Sequence, residues 1–383
     1  MLAGLYVVDC TQRLGWLTGR LLADMGANVV KVEAPGADLS SSEWQALNIN
    51  KQLLRLELES RTAAAALDSL VSTADFLIAT PRAGRDDDAL FDFDRLHSIN
   101  PRLIVVAITP FGLTGPKSQW RMSDLEIMAA AGAMSLAGEP GGEPMRVSAP
   151  QSSAWAGAQA AVGATMALAA RARIGRGQLV DVSAQAAVIT ALAHAPAFVD
   201  IAGTTPTRAG AFITGRSVAG AKYRVFWPCL DGHINFILYG GAAGRRTNEQ
   251  LVAWMREEGV DAGPLAAVDW SSFDPTQASQ AEVDAMEAPI ARFLARMRKR
   301  EFLEAAHRRE MLGYPVSSVQ DIATDPQLQA RAFWQDVTAP DGRTQRHCGA
   351  FYIRDGLRPA LKVPTPPQAA PASPETEREP ASA

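Results

Sequence analysis

Short apolar segments alternate with helical patterns through the first 109 residues, and this alternation limits the possible folds more than any other feature. The strand-like runs lie at residues 5–9, 28–33, 53–59, 76–79 and 102–109. Helical patterns separate them. This spacing is typical of a parallel sheet, because its strands need long crossover connections. The sequence therefore predicts an α/β fold with a mostly parallel, doubly wound sheet.

The loops that follow these strands are the candidate site loops. In open parallel sheets ligands bind beyond the carboxyl ends of the strands, which here means after Asp9, Ala79 and Thr109. The first of these loops reads CTQRLG and lacks the GxGxxG phosphate cradle, so we expect no dinucleotide cofactor. Glu33, at the end of the second strand, is interpreted as a solvated loop charge.

An alanine-rich stretch at residues 150–174 predicts one long helix, followed by a glycine-rich turn and a short strand. Ser152 and Ser153 are good N-cap types, so we expect the helix to begin there. Gly157 and Gly163 each weaken an exposed helix by about 1 kcal/mol relative to alanine, and they therefore indicate close approach by another backbone or a ligand. The N-terminus of such a helix favours an anion.

The second half of the chain changes in composition and predicts a second unit. The helix that ends near residue 203 carries His194, which is interpreted as a packing histidine, and a hairpin turn is expected at Asp231 and Gly232. The predicted division is a first part of the large domain, a linker, a small domain, a return to the large domain and a loose proline-rich tail, at residues 1–203, 204–222, 223–320, 321–364 and 365–383.

Composition excludes several classes of protein. With 383 residues, 47% of them hydrophobic, the chain can bury a full core, and its net charge of −4 gives no general attraction to nucleic acid. No uncharged apolar run reaches membrane-spanning length, and the N-terminus lacks the pattern of a signal peptide. Cys10, Cys229 and Cys348 lie far apart and form no metal-binding pattern. We expect a cytoplasmic protein without a metal, a membrane or a nucleic-acid partner.

Seven segments occur in an order that resembles the family III CoA-transferases, the formyl-CoA transferase or CaiB/BaiF type. They are LYVVD, LLADMGANVVKVE, NINKQLLRLELE, ADFLIATPRAG, INPRLIVVAITPFGLTGP, ARIGRGQLVDVS and DPQLQARAFW. The resemblance implies a Rossmann-like large domain built from both chain ends and a smaller α+β domain from the middle. It also implies two ring-like subunits interlocked as a dimer, and a CoA thioester bound on the large domain.

The resemblance also implies a nucleophilic aspartate, which attacks the acyl-CoA carbonyl to form an acyl-enzyme anhydride. Its usual place is four residues before a glycine at the start of the alanine-rich helix. That glycine matches Gly157, and the position four before it is Ser153. A serine cannot form the anhydride, so Ser153 is interpreted as an N-cap and no catalytic residue is predicted in this chain. The acyl-CoA racemase branch does not fit either, because its histidine would fall at Ser123.

Within the family, the segments PQSSAWAG, GRGQLVDVSAQ, VFWPCLDG and LVAWMREEG are similar to the aspartate-lacking subunits of benzylsuccinate CoA-transferases. This implies a heteromer in which a homologous subunit carries the aspartate, with succinyl-CoA as the donor and a benzylsuccinate-like acid as the acceptor. Two alternatives stay open. In the first, the chain is a CoA-ester-binding scaffold without catalysis. In the second, it is a self-sufficient enzyme that uses another residue, and a homodimer replaces the heteromer.

The resemblance implies a set of residues that contact CoA: Arg13, Leu58, Thr80, Pro81 and Arg82. Arg82 also has an independent argument, because a guanidinium pairs well with phosphate oxygens. Lys51 matches an Asn-x-x-Lys pattern of the family and is interpreted as structural.

Overall fold

The computed structural model describes residues 1–58, 63–81, 86–214, 220–339 and 342–366. The described chain divides into two compact units. The large unit takes in both ends of the chain, and the small unit comes mainly from the middle. The large unit comprises Met1–Met134, Arg146–Thr205 and Asp325–Ala383, and the small unit comprises Ser135–Met145 and Pro206–Thr324.

Among the described residues, six parallel strands form the sheet of the large unit. They are β1 (Tyr6–Cys10), β2 (Asn28–Glu33), β3 (Gln52–Arg55), β4 (Phe76–Ala79), β5 (Ile104–Thr109) and β6 (Leu179–Ser183). Their order across the sheet is β3-β2-β1-β4-β5-β6. This is the strand order of the Rossmann fold. The predicted α/β class and parallel sheet are therefore confirmed.

The remaining strands are short and antiparallel. They are β7 (Phe212–Ile213), β8 (Tyr223–Arg224), β9 (Phe226–Cys229), β10 (Gly232–Asn235), β11 (Tyr314–Pro315), β12 (Trp334–Thr338) and β13 (Thr344–Cys348). The helices are α1 (Trp16–Asp24), α2 (Ser42–Asn48), α3 (Ala63–Val71), α4 (Phe93–Ile99), α5 (Asp124–Ala130), α6 (Ala133–Leu136), α7 (Ser152–Ile174), α8 (Ala184–Ala191), α9 (His194–Ala202), α10 (Gly241–Glu257), α11 (Gln280–Leu294), α12 (Lys299–Arg309), α13 (Val319–Ala323) and α14 (Pro326–Ala330).

Alternate residues of the central strands enter two different cores, one on each face of the large sheet. Val7, Ile78 and Val106 pack with α7 on one face. Val8 and Leu77 pack with α3 on the other face. Because both faces are covered, the strands are apolar throughout, and this is why they stand out in the sequence.

The two ends of the chain are joined inside the large unit by the buried Arg20. Its Nε lies 2.8 Å from the carboxylate of Asp24, and its Nη2 donates to the carbonyl of Cys348 at 2.8 Å. The hydroxyl of Tyr352 donates to the carbonyl of Asp24 at 2.7 Å. These bonds hold the returning segment against α1.

The small unit has its own core around Trp227, Phe236 and Trp254. The predicted hairpin is present as β9 and β10, with Cys229 paired with Gly232. The indole of Trp227 donates to the carbonyl of Phe236 at 2.7 Å, so the buried ring has its polar group satisfied.

Several details of the sequence analysis were wrong. The third strand was expected at residues 53–59, but β3 runs only from Gln52 to Arg55 at the edge of the sheet, where β2 pairs with one side of it and Thr365 bridges to Gln52 on the other. His194 was expected to be a packing residue, but it is exposed at the start of α9. The chain bends by 67° between α8 and α9, so the single helix expected there is two. Within the described residues, no single helix is long and apolar enough to span a membrane.

The long helix α7 packs closely because its buried face carries small residues. A Cβ on Gly157 would lie 2.8 Å from the Cβ of Leu17 and 3.3 Å from the backbone nitrogen of Thr18. A Cβ on Gly163 would lie 2.7 Å from a methyl group of Val180. The predicted close approach at both glycines is therefore confirmed, with α1 at the first and β6 at the second.

The first turn of α7 is capped by Asp124, which belongs to α5. One oxygen of its carboxylate, Oδ1, accepts the backbone N–H groups of Gln151 and Ser152 and the hydroxyl of Ser152, each at 2.8 Å. The interpretation of Ser153 as an N-cap was wrong, because Ser153 is the second residue of the helix and the carboxylate satisfies the exposed donors instead. The anion expected at this N-terminus is thus supplied by the chain itself.

We expect Gly157→Ala to destabilise the protein more than Gly163→Ala. The added methyl group at 157 meets the backbone of α1, whereas at 163 it meets the end of one side chain. Overpacking costs about 1–3 kcal/mol, which outweighs a gain of about 1 kcal/mol in helix propensity. Urea unfolding of both variants measures the difference, and a Gly157→Ala variant as stable as the wild type would contradict the packing described.

We expect Asp124→Ala to lower the free energy of unfolding by about 1–2 kcal/mol, the usual loss for removing a helix cap. Asp124→Asn should lose less, because its amide oxygen still accepts hydrogen bonds. Ser153→Ala is the matched control and should leave the stability nearly unchanged. If Ser153→Ala were the more destabilising variant in thermal unfolding, Ser153 rather than Asp124 would be the cap.

Candidate functional site

The loops that follow β1, β4 and β5 meet at a cleft of about 620 Å³. Each of the three loops contributes to its wall, with Gln12 from the first, Thr80 from the second and Pro110 from the third. The cleft lies at the point where the strand order reverses, between β1 and β4. Its volume falls within the range of about 300–1,000 Å³ usual for ligand sites.

The wall of the cleft is largely apolar, with a few polar groups near the loops. The large apolar side chains are Leu14, Phe91, Phe93, Ile108, Leu113, Trp120, Met122 and Leu179. The polar or charged side chains are Gln12, Thr80, Asp92, Thr109, Ser118, Gln119 and Arg121. A mixture of this kind binds a ligand with both apolar and polar parts. Among the described residues, no group of three or more potential metal ligands is present.

Thr80 and Pro81 both line the cleft, at the end of β4. The backbone N–H of Gln12 donates to the hydroxyl oxygen of Thr80 at 2.6 Å. This bond joins the loop after β1 to the loop after β4 across the switch point of the sheet. The geometry therefore brings together two of the residues expected from the sequence with one that was not expected, Gln12.

The other expected residues are placed differently. Arg13 is exposed and pairs with Glu43 at 2.6 Å, and this hydrogen-bonded contact, with a smaller contribution from Asp124, raises the pKa of Arg13. Its neighbours in the loop face the cleft, but Arg13 itself is outside the lining described above. Leu58 is half-buried and packs against the core that includes α3, and it is not among the residues that line the cleft. Arg82 lies outside the described residues.

The loop after β1 is fixed from below by the buried carboxylate of Asp9. Its Oδ1 accepts the backbone N–H and the hydroxyl of Thr11, at 2.9 and 2.6 Å, and its Oδ2 accepts the ammonium of Lys51 at 2.8 Å. Burial alone would raise the pKa of Asp9, but Lys51, Lys31 and the hydrogen bonds bring it below its usual value. Burial lowers the pKa of Lys51 to about 8, against the opposing effect of Asp9.

Lys31 continues this network on β2. Its ammonium donates to the carbonyl of Thr11 at 2.8 Å and lies 3.2 Å from the carboxylate of Glu33. Glu33 also accepts the indole N–H of Trp44 at 3.0 Å, and its side chain is 14% exposed. The interpretation of Glu33 as a solvated loop charge was wrong, because it is the partner that Lys31 needs in a buried position.

The start of α7 adjoins this region through the segment that follows β5. Arg121 and Met122 line the cleft, and Asp124, two residues later, caps α7 next to Ser153. Ser153 is half-buried and carries a hydroxyl where the family resemblance implies a carboxylate. Asp124 is therefore the carboxylate that the fold brings to this helix N-terminus.

Sequence reasoning missed Gln12 and the cap role of Asp124. The position of Gln12 after a central parallel strand was a usable signal, since the loop was already identified. The local sequence gives no signal for the cap role of Asp124, because the groups it caps lie 27 and 28 residues further along the chain.

The chain matches the family model described as CoA-transferase family III over residues 2–370. It is 32% identical over 345 residues to the succinyl-CoA:(R)-benzylsuccinate CoA-transferase subunit BbsE of Thauera aromatica, covering 86% of this chain and 82% of that protein. It is 28% identical over 362 residues to the succinate–glutarate CoA-transferase of Agrobacterium fabrum, covering 89% and 86%.

A solved structure agrees with the fold. A CaiB/BaiF family protein from Brucella suis superposes with a TM-score of 0.78 at 24% identity, covering 96% of each chain. At that identity the likeness concerns the fold alone. The match of the family model along nearly the whole length, together with relatives of similar extent, shows that the chain belongs to CoA-transferase family III.

Proposed function

We propose that this protein is the non-nucleophilic subunit of a heteromeric CoA-transferase. The complex would move CoA from an acyl-CoA, with succinyl-CoA as the donor, to a benzylsuccinate-like carboxylic acid. Two of the relatives described above carry succinyl-CoA or succinate in their names, and one of them is named as a subunit. A homologous subunit bearing the aspartate would supply the covalent step.

The observation that carries this proposal is Ser153. It is the second residue of α7, on a helix that otherwise keeps its close packing against α1 and β6. In the family's reaction a carboxylate oxygen attacks the thioester carbonyl, an acyl anhydride forms and the CoA thiolate leaves. A serine hydroxyl in that position would give an ester instead, from which CoA transfer to a second acid is far less favourable.

Asp124 is a poor replacement for the missing nucleophile. Its Oδ1 accepts three hydrogen bonds at the start of α7. Hydrogen bonds of this kind occupy the lone pairs of the oxygen, so they make it a weaker nucleophile toward a carbonyl carbon. Asp124 therefore belongs to the framework that holds Ser153, and the reacting carboxylate is assigned to the partner.

The cleft is the proposed place for the CoA thioester. Thr80 and Pro81 line it, and Arg13 lies in the loop that forms one of its walls. The apolar side chains around Trp120 suit the uncharged part of the ligand, while Arg121 and Arg13 are cations suited to its phosphates. Arg82 and Leu58 are kept as further contacts expected from the resemblance.

The chain expressed alone tests the proposal. Calorimetry with succinyl-CoA should show binding, while an assay of CoA transfer from succinyl-CoA to benzylsuccinate should show no turnover. Co-expression with a homologue that has aspartate at the position of Ser153 should restore turnover. In that complex, Ser153→Ala should keep activity within about threefold of the unchanged complex, because the serine takes no part in bond making.

The alternatives give different results in the same experiments. Robust transfer by the chain alone, with hydroxylamine trapping a modified Asp124 peptide, would establish a self-sufficient enzyme. If the chain binds succinyl-CoA but shows no turnover with any aspartate-bearing homologue that is co-expressed with it, the result would favour the scaffold. Loss of activity in Ser153→Ala would make the serine a reacting group and overturn the proposal.

A further inference from the structure

The loop between β1 and α1, residues 11–15, is held in place by side chains buried beneath it. We call Asp9, Lys31 and Lys51 the loop anchor. The side chains of Asp9 and Lys51 are both 0% exposed, and that of Lys31 is 2% exposed. None of the three lines the cleft as described. The anchor therefore acts on a ligand only through the backbone that it holds.

The anchor bonds the loop at both ends. At the first end, the backbone N–H and the hydroxyl of Thr11 donate to Asp9, and the carbonyl of Thr11 accepts from the ammonium of Lys31. At the other end, Lys51 donates to the carbonyl of Trp16 at 2.8 Å. The ammonium of Lys51 thus links the end of β1 to the first residue of α1, and its third bond goes to Asn48 at 2.7 Å.

The loop between these two points forms one wall of the cleft. Gln12 and Leu14 line it, and the backbone N–H of Gln12 bonds to Thr80. In dinucleotide-binding proteins with this sheet, a glycine-rich sequence shapes the corresponding turn. Here the sequence is CTQRLG, and the conformation is imposed by charged side chains from β1, from β2 and from the residue just before β3.

The packing around the pair leaves no space for adjustment. A Cβ on Gly19 of α1 would lie 2.2 Å from Oδ2 of Asp9 and 2.9 Å from Nζ of Lys51. The helix therefore approaches the ion pair directly, and a displaced carboxylate or ammonium would also displace α1. Removal of one partner would leave an unpaired charge in a site that water does not reach.

We infer that Lys51 is a positioning residue for ligand binding: its ammonium, paired with Asp9, holds the β1–α1 loop as a wall of the cleft and so sets the affinity for the thioester. The identity of the ligand rests on the proposed function. The position of the loop does not, and it can be measured without any ligand.

The ionisation of Lys51 gives the inference a pH dependence. The charged groups around it are Asp9 on β1, Lys31 and Glu33 on β2, and Asp24 on α1, while Asn48 and the carbonyl of Trp16 are neutral. The thiol of Cys10 on β1 is also near this network, and burial raises its pKa to about 12, so it stays neutral. Because the pKa of Lys51 is lowered to about 8, the ammonium is present below that pH and is lost above it.

The test uses Asp9→Asn/Lys51→Met. Lys51→Met alone leaves Asp9 charged and unpaired, so it tests folding as much as positioning. The double variant removes both charges, while the asparagine oxygen still accepts from Thr11, and buried ion pairs replaced in this way often keep their stability. Lys222→Met, at an exposed lysine of the small unit, is the matched control.

Two measurements are made on the folded proteins. Hydrogen exchange of the peptide that covers residues 11–16 should be faster in the double variant than in the wild type and the control. The Kd for succinyl-CoA at pH 7 should rise about ten- to hundredfold, as expected for a displaced binding wall. From pH 7 to 9 the wild type should lose affinity as pH rises through about 8, and the double variant should lack this change.

The outcomes separate the inference from the proposed function. Equal loop exchange and equal Kd in the folded double variant and the wild type would overturn the positioning role of Lys51. A wild type that binds no succinyl-CoA would overturn the proposed ligand, while the exchange measurement would still test the anchor. Faster loop exchange with an unchanged Kd would show that the loop is anchored but does not set affinity, and this also overturns the inference.

Discussion

The buried ion pair between Asp9 and Lys51 is the interaction on which the cleft side of the large unit depends. Asp9 lies near the carboxyl end of β1, a central strand of the sheet, and its carboxylate has no access to water. An unpaired buried charge costs several kcal/mol, so the residue requires a cation in one fixed place. Lys51, just before β3, supplies it and at the same time bonds to the first residue of α1. Two strands, a helix and a cleft wall are thereby fixed relative to one another by a single ammonium group.

Helix α7 imposes the second constraint, because its small residues allow it to lie directly against α1 and β6. The amides at its N-terminus have no partner within the helix, and the two at Gln151 and Ser152 find an acceptor elsewhere in the protein. Asp124 provides it, and in doing so it fixes the end of the segment that follows β5. The same segment lines the cleft through Trp120 and Arg121. The cap of the helix and the wall of the cleft are therefore parts of one connection.

The strands and their parallel arrangement were predictable because strands covered on both faces read as apolar runs, and the close approach of α7 was predictable from Gly157 and Gly163. The residues of the site were harder to predict from the sequence. Thr80 and Pro81 follow a central strand and do line the cleft, but the neighbours of Arg13 and Leu58 depend on side-chain contacts that sequence order does not reveal. Glu33 and Ser153 were misread for one reason. Each was assigned a local role, while their surroundings are set by Lys31 and Asp124, which come from tertiary packing.

Under the proposed function, the chain separates the binding of a thioester from its reaction. Binding depends on the cleft and on the loop that Lys51 holds, and none of these features requires a residue that changes covalently. Turnover requires an oxygen nucleophile whose acyl product is itself reactive, and a serine at the second position of α7 does not meet that requirement. Interactions formed equally with substrate and transition state raise affinity without raising kcat. A chain that keeps the framework and lacks the carboxylate therefore retains ground-state binding, and its contribution to the rate has to come through the subunit that supplies the nucleophile.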